Sequence, residues 1–258
     1  MISYCLSDRG YVRKQNEDNY LDGLRAGQLV VYAVADGMGG HEGGDVASYL
    51  AIKGLEEAVT NKERYLEKEY IETNSPRLYK EFFKESNEKI LSAKEDTARL
   101  KEMGTTLTAA FIYDERVVIG HVGDSRAYLI KDNKMEQITR DHSLVNELLR
   151  SGELNNYEAE NHPQKNVLTN ALGISGDIQV DIYNYDFSDE TVLLLCSDGL
   201  TSHLYDEEIL TIIKRHNSIE NAAKRLVKSS YEAGGFDNIT VCLIAPKELS
   251  EIFRGEIK

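Results

Sequence analysis

The sequence predicts an α+β protein in which two sheets pack face to face and helices cover both outer sides. Three observations carry that expectation. Strand-like blocks follow one another without the regular helix insertions of βαβ units, and helical periodicity is confined to a few separate stretches. No repeat, low-complexity tract or Gly/Ser linker divides the 258 residues. A chain of this length can bury one large core without disulfides or structural metal.

The strands are the clearest elements. Leu29 to Asp36, Val117 to Asp124 and Val192 to Asp198 are short apolar runs, rich in β-branched residues, that each stop at an aspartate. They read as strands buried on both faces. Gly37 and Gly199 follow two of these aspartates and Gly123 precedes the third, so each acid sits where a core strand gives way to a tight turn. A fourth case is inverted: Gly234-Gly235-Phe236-Asp237 opens the run Asn238 to Ala245.

Helices are expected at four places. Residues 43–59 are helix-compatible, with Val46, Leu50, Leu55 and Val59 as an inward face. Residues 60–103 carry ten acids against ten bases, which predicts a solvated outer helix pair broken near Asn74-Ser75-Pro76. Leu144, Val145, Leu148 and Leu149 follow the 3.6-residue period behind Asp141. Ile219, Ala222, Ala223, Leu226 and Val227 do so behind Ser218 as N-cap. The chain reads as a single domain over 1–245, with 246–258 as a C-terminal extension.

Composition removes several function classes. The formal charge is −14, from 44 acidic and 30 basic residues, and no basic stripe offsets it, so nucleic acid is not an expected partner. No run of about 18 apolar residues is present, and Met1 to Gly10 lacks a secretory signal pattern, so neither membrane insertion nor export is expected. Cys5, Cys196 and Cys242 are few and widely spaced. They read as buried apolar filler in a reducing compartment.

Acids at the ends of core strands converge, because strand ends in a packed sheet pair lie close together. Buried like charges repel and are driven to protonate unless a cation compensates them. Oxygen donors without a Cys₂His₂ or His-x-His pattern favour Mg²⁺ or Mn²⁺ over zinc. Arg13-Lys-Gln-Asn-Glu-Asp18 adds two more acids and a guanidinium suited to a bidentate phosphate contact. Asp beside Gly is also ordinary turn and cap composition. The reading therefore rests on the fourfold recurrence and not on any one acid.

Other chemistries find less support. The glycines from Gly37 to Gly44 lack the Gly-Lys-Ser/Thr ending of a phosphate loop, and no Gly-x-Ser-x-Gly nucleophile elbow occurs. His142 and His162 have no serine and acid pattern around them.

Taken in order, six motifs resemble the bacterial 2C-type metal-dependent serine/threonine phosphatases. They are Arg13-x-x-x-Glu17-Asp18, Ala35-Asp36-Gly37-Met-Gly-Gly, Gly104-Thr-Thr106, Val122-Gly-Asp-Ser-Arg126, Cys196-Ser-Asp-Gly199 and Asp237-Asn238-Ile-Thr-Val241. The resemblance implies a central β-sandwich of two antiparallel sheets flanked by helices, a four-layer αββα arrangement. It implies two core Mg²⁺ or Mn²⁺ ions and a third. Asp36 resembles the carboxylate shared by the two core ions, with Asp198 and Asp237 completing the first. The Gly37 carbonyl with Glu17 and Asp18, directly or through water, resembles the second site, and Asp124 with Asp198 the third. Arg13 resembles the substrate-phosphate anchor, and Asn238 a residue that orients its neighbours.

The resemblance further implies hydrolysis of phosphoserine and phosphothreonine in proteins by direct attack of a metal-bridging water. The catalytic set is then Arg13, Asp36, Asp198 and Asp237. A cytoplasmic monomer opposing a bacterial serine/threonine kinase is the expected setting. Residues 145–170 resemble a mobile flap beside the cleft. Met38 stands where many relatives have a histidine proposed as general acid, which leaves the proton donor open among water, His41 and His162. Two rivals are a catalytically silent relative and an enzyme dedicated to an anti-anti-sigma-type regulator.

Overall fold

The computed structural model describes residues 1–39, 43–174 and 177–253. It opens with strands β1 (Ile2–Asp8), β2 (Asp18–Ala26) and β3 (Leu29–Met38), then helices α1 (Gly44–Asn61), α2 (Lys68–Asn74) and α3 (Arg77–Asp96). Five strands follow: β4 (Gly104–Thr105), β5 (Leu107–Tyr113), β6 (Arg116–Val122), β7 (Arg126–Lys131) and β8 (Lys134–Gln137). Short helices α4 (Leu144–Ser151) and α5 (Asn156–Glu160) lead to β9 (Asp181–Asp186) and β10 (Val192–Cys196). Helices α6 (Asp198–Thr201), α7 (Asp206–Lys214) and α8 (Ile219–Glu232) precede β11 (Ile239–Ala245) and α9 (Leu249–Ile252).

The strands form two antiparallel sheets, ordered β1-β11-β10-β7-β8 and β2-β3-β5-β6-β9, with β4 added beside the end of β3. The predicted α+β sandwich is therefore present. Its central strands, β3, β5, β10 and β11, are apolar along most or all of their length because both of their faces are buried, whereas β2, β8 and β9 carry exposed residues. Along β3, Leu29, Val31, Ala33 and Ala35 face α1 and α3, whereas Val30, Tyr32 and Val34 face the other sheet. Along β10, Val192, Leu194 and Cys196 face α7 and α8, and Leu193 and Leu195 face inward. The sandwich interior and the two helix-covered faces thus give three cores between four layers.

Gly120 shows how tightly the helical layer sits. A Cβ there would lie 2.5 Å from the Phe83 ring of α3. Gly120→Ala is expected to cost about 1–3 kcal/mol by forcing that ring to move. A thermal or urea midpoint indistinguishable from the parent's would contradict this.

The helices depart from expectation in instructive ways. The inward face of α1 centres on Ala47, Ala51, Leu55 and Ala58, while Val46 and Leu50 are only partly buried. Size misled the sequence reading, since close approach selects small residues: a Cβ on Gly54 would come 2.7 Å from the Cα of Ser86 in α3. The break at 74–76 is where expected, but α3 is not a solvated helix. Tyr79, Phe82, Phe83 and Ile90 are fully buried, and the first two pack their rings on Phe111 at 4.7 and 5.7 Å. The balanced charges occupy its outer side. Ser218 caps α8 by accepting from the Asn221 N–H, as expected. In α4 the cap is Ser143 and not Asp141.

Cys5 and Cys242 are direct partners in the β1–β11 register and are disulfide-bonded. This corrects the expectation of three unpaired thiols; Cys196 is free and buried. The inference of a reducing compartment loses that support. Spacing could not reveal the pair, because antiparallel register alone brings together residues 237 apart. In the C-terminal stretch, α9 seats Leu249 and Phe253 in the core beneath α7 and α8. Among the described residues no helix is long and apolar enough to cross a membrane.

Candidate metal centre

The site lies where the ends of both sheets meet. Asp36 lies within β3, whose last residues are held in the sheet because Gly37 and Met38 pair with Thr105 and Gly104 of β4. Asp124 follows the end of β6, Asp198 begins α6 just past β10, and Asp237 precedes β11. With Arg13, Glu17 and Gly37 these acids line an open cleft of about 640 Å³. Lys14, Gln15, Met38, Gly39, Thr106, Asn166 and Leu168 complete its walls. Sequence reading had assembled this set from strand ends, and the fold brings it to one place.

Asp18 is the exception. It is buried beneath the cleft, directly opposite Asp36 in the β2–β3 register. Its Oδ2 accepts from the hydroxyls of Ser197 and Thr240, at 2.7 and 2.6 Å, while its Oδ1 has no hydrogen-bond partner. Asp198 likewise has a buried, unpartnered Oδ1.

Electrostatics follow from this crowding. Burial, opposed by the Thr240 and Ser197 hydroxyls and reinforced by Asp198 and Asp237, pushes Asp18 up to about 7. Burial, together with Asp198 and Asp141, pushes Asp124 up to about 8. Asp36 is raised well above the ordinary carboxylate range by burial and then by Asp18, Asp198, Asp124 and Asp237. Asp198 is raised by burial and by Asp237. Acids so placed hold protons unless a cation neutralises them.

Orphaned buried carboxylate oxygens, mutual repulsion and an all-oxygen donor set fit hard divalent cations of the magnesium or manganese type. Among the described residues no three of these groups are drawn in around one point as a completed cage would have them. The acids surround open space, and Arg13 donates from Nη2 to Asp237 Oδ2 at 2.6 Å. The guanidinium expected to meet phosphate therefore neutralises an expected metal ligand.

Thr105, Thr106 and Ser125 stand within the motifs quoted above, but the sequence assigned them no role. Thr106 Oγ1 accepts from the Asp36 N–H at 2.9 Å, the Thr106 N–H donates to the Asp36 carbonyl, and Thr105 Oγ1 donates to that same carbonyl. Thr106 also bonds Ser125, the neighbour of Asp124, at 2.7 Å. Hydroxyls next to strand-end acids were the available signal. Asn238 behaves as its position suggested: its Oδ1 accepts from the Glu17 N–H, and its Nδ2 donates to the carbonyls of Arg9 and Gln15. It thereby fixes the loop that presents Arg13.

The segment resembling a flap has a closed stem. Ser143 bridges Leu168, the Leu144 N–H donates to the Val167 carbonyl, and the Thr169 N–H donates to that of His142. His142 Nδ1 accepts from the Gly123 N–H at 3.1 Å, so its other ring nitrogen carries the proton facing Asp181 at 3.3 Å. His142 thus braces the Asp124 turn, an arrangement invisible in spacing alone. Of the proposed proton donors, His162 accepts from the Gln164 N–H and does not line the cleft. His41 lies outside the described residues.

A family model described as protein phosphatase 2C matches residues 11–233. The serine/threonine phosphatase stp of Listeria welshimeri is 44% identical over 238 residues, spanning 92% of this chain and 93% of that protein. Among solved structures, the serine/threonine phosphatase of S. agalactiae superposes with a TM-score of 0.88 at 30% identity, over 95% of this chain and 99% of that one. The catalytic domain of the phosphatase PstP, solved in complex with two manganese ions, gives 0.79 at 32% identity over 94% and 96%.

Proposed function

Because the chain belongs to the protein phosphatase 2C family and is a serine/threonine protein phosphatase, we propose that this cleft hydrolyses phosphoserine and phosphothreonine esters using bound magnesium or manganese. The observation that carries the reading is the arrival of Asp36, Asp124, Asp198 and Asp237 from both sheets at one cleft, with Arg13 among its lining residues. Asp36, Asp198 and Asp237 would hold one ion, Asp36, Glu17 and the Gly37 carbonyl a second, and Asp124 with Asp198 a third. Asp18 acts from beneath, as the buried charge opposite Asp36. The two manganese ions of the PstP catalytic domain support two of these sites. Bound divalent ions supply Lewis acidity that activates water at neutral pH and offsets charge on phosphoryl oxygens.

The protein's own residues do the rest. Arg13 offers a forked donor to two phosphoryl oxygens once Asp237 is engaged elsewhere, so substrate anchoring and ion binding reinforce each other. The Thr105–Thr106 hydrogen bonds hold the Asp36 backbone rigid, and Asn238 sets the height of the Arg13 loop. Met38 carries no proton to give. His162 does not line the cleft, so the proton for the leaving serine or threonine oxygen would come from cleft water or from His41, which lies outside the described residues.

Asn166 and Leu168 place the 145–170 segment at the cleft wall, which supports its role as a flap over bound substrate. Phosphoserine and phosphothreonine substrates presuppose a kinase, and a cytoplasmic enzyme set against a bacterial serine/threonine kinase is the setting this reading entails. Purified protein is expected to hydrolyse phosphothreonine peptides with Mn²⁺ or Mg²⁺, to lose that activity reversibly in chelator, and to act poorly on phosphotyrosine peptides. Undiminished turnover in chelator, or equal turnover of phosphotyrosine, would overturn the reading.

A further inference from the structure

An exposed apolar shelf is built from the two segments that carry Arg13 and Asp237. Tyr11 is 70% exposed, Val12 56%, Phe236 64% and Tyr231 42%. Large apolar side chains grouped in water are the usual mark of an interaction surface. Tyr11 and Val12 directly precede Arg13, and Phe236 directly precedes Asp237. The shelf thus lies outside the cleft's lining, with three of its four residues on the two segments that present Arg13 and Asp237 to the cleft.

These side chains are displayed by a fixed scaffold. The N–H groups of Tyr11 and Val12 both donate to the Gly235 carbonyl, at 2.8 and 3.3 Å. The Tyr11 ring meets Tyr231 edge-on at 5.9 Å. Phe236 stacks on His203 at 5.4 Å, and its N–H points to His203 Nε2 at 3.4 Å. His203 Nδ1 in turn donates to the carbonyl of Gly199, the neighbour of Asp198. The links through Gly235 and His203 tie the shelf to the segments that carry Asp237 and Asp198.

We propose that Tyr11, Val12, Tyr231 and Phe236 form a docking shelf for a bulky apolar side chain within two residues of the phosphorylated residue in a protein substrate. The proposal rests on the phosphatase reading above. Phosphate at Arg13 fixes one point of the substrate, and an extended peptide advances about 3.3 Å per residue. A peptide running from Arg13 towards the segments that precede Arg13 and Asp237 would lay its next side chains on the shelf. Charge favours the same occupant: a chain of net charge −14 repels acidic flanks, whereas the shelf itself is uncharged.

Three substrates test this: phosphothreonine capped at both ends, a phosphothreonine peptide with Phe or Leu flanking the phosphoresidue, and the same peptide with Gly at those positions. The apolar peptide is expected to exceed the glycine peptide roughly tenfold in kcat/KM. Phe236→Ala and Tyr11→Ala should each erase most of that ratio without changing turnover of capped phosphothreonine. Equal rates on the two peptides in the parent, or an undiminished ratio in both variants, would overturn the shelf while leaving the phosphatase reading in place. No turnover of any of the three substrates with either metal would overturn both.

Discussion

Asparagine at position 36 is expected to lower phosphothreonine-peptide hydrolysis by about a thousandfold or more, and to make the metal-free protein no less stable than the parent. The two outcomes have one cause. Asp36 faces Asp18 across the β2–β3 register, and Asp198, Asp124 and Asp237 add their charge to the same half-buried spot. In the absence of cations this carboxylate is a source of repulsion. With cations it is the group through which the clustered charge becomes useful. The substitution keeps size and shape, and the bonds that fix the strand here run from Thr105 and Thr106 to the Asp36 backbone, so they survive. A thousandfold loss corresponds to about 4 kcal/mol of barrier, within what a divalent ion supplies to phosphoryl transfer. Metal-dependent rates and melting in chelator at pH 8 measure both halves. An active variant, or one that melts well below the parent, would defeat the argument.

The acids of this site were legible because strand periodicity fixes where a chain leaves a sheet. Runs buried on both faces end together at the sandwich's edge, so Asp36, Asp124, Asp198 and Asp237 could be grouped without coordinates. What stayed hidden depends on register and close approach. The Cys5–Cys242 bond exists because β1 and β11 are neighbours with one particular offset. Asp18 is expected to act on an ion directly or through water, and only the fold reveals that it lies beneath the cleft, with the hydroxyls of Ser197 and Thr240 on its Oδ2. The face of α1 is half as expected: Leu55 and Val59 are fully buried, but alanines stand inward in place of Val46 and Leu50, and Gly54 lets α1 and α3 approach closely. Asp141 looked like a helix cap, but Arg126 holds its carboxylate at 2.7 Å and leaves Ser143 to cap α4.

Raising the pH from 6.5 to 8.5 should destabilise the protein in chelator, and divalent cations should remove most of that loss. The folded protein holds protons on Asp18 up to about 7, on Asp124 up to about 8, and on Asp36 well above the ordinary carboxylate range. The unfolded chain has released all of them by pH 6.5. The folded state therefore binds more protons throughout this interval, and stability falls as pH rises through the folded values. His121 works in the opposite direction. Burial and His142 push it down to about 4, so its contribution is lost as pH falls from about 6.5 towards 4. The unfolded chain loses the rest of this proton within about one unit above 6.5, so the opposing contribution across the interval is small. One unit of raised pKa is about 1.4 kcal/mol, or roughly 3–6 °C of melting temperature for a domain of this size. With several acids contributing, a fall of at least that amount is expected in chelator. Ions bind the deprotonated carboxylates, so the gap between metal-loaded and chelated melts should widen with pH. Asp36→Asn, having one fewer acid to titrate and less repulsion on the others, should show a shallower slope. A chelated protein whose melting temperature is flat or rises over this interval would mean that these carboxylates are already ionised in the fold, and that the crowding alone does not call for a cation.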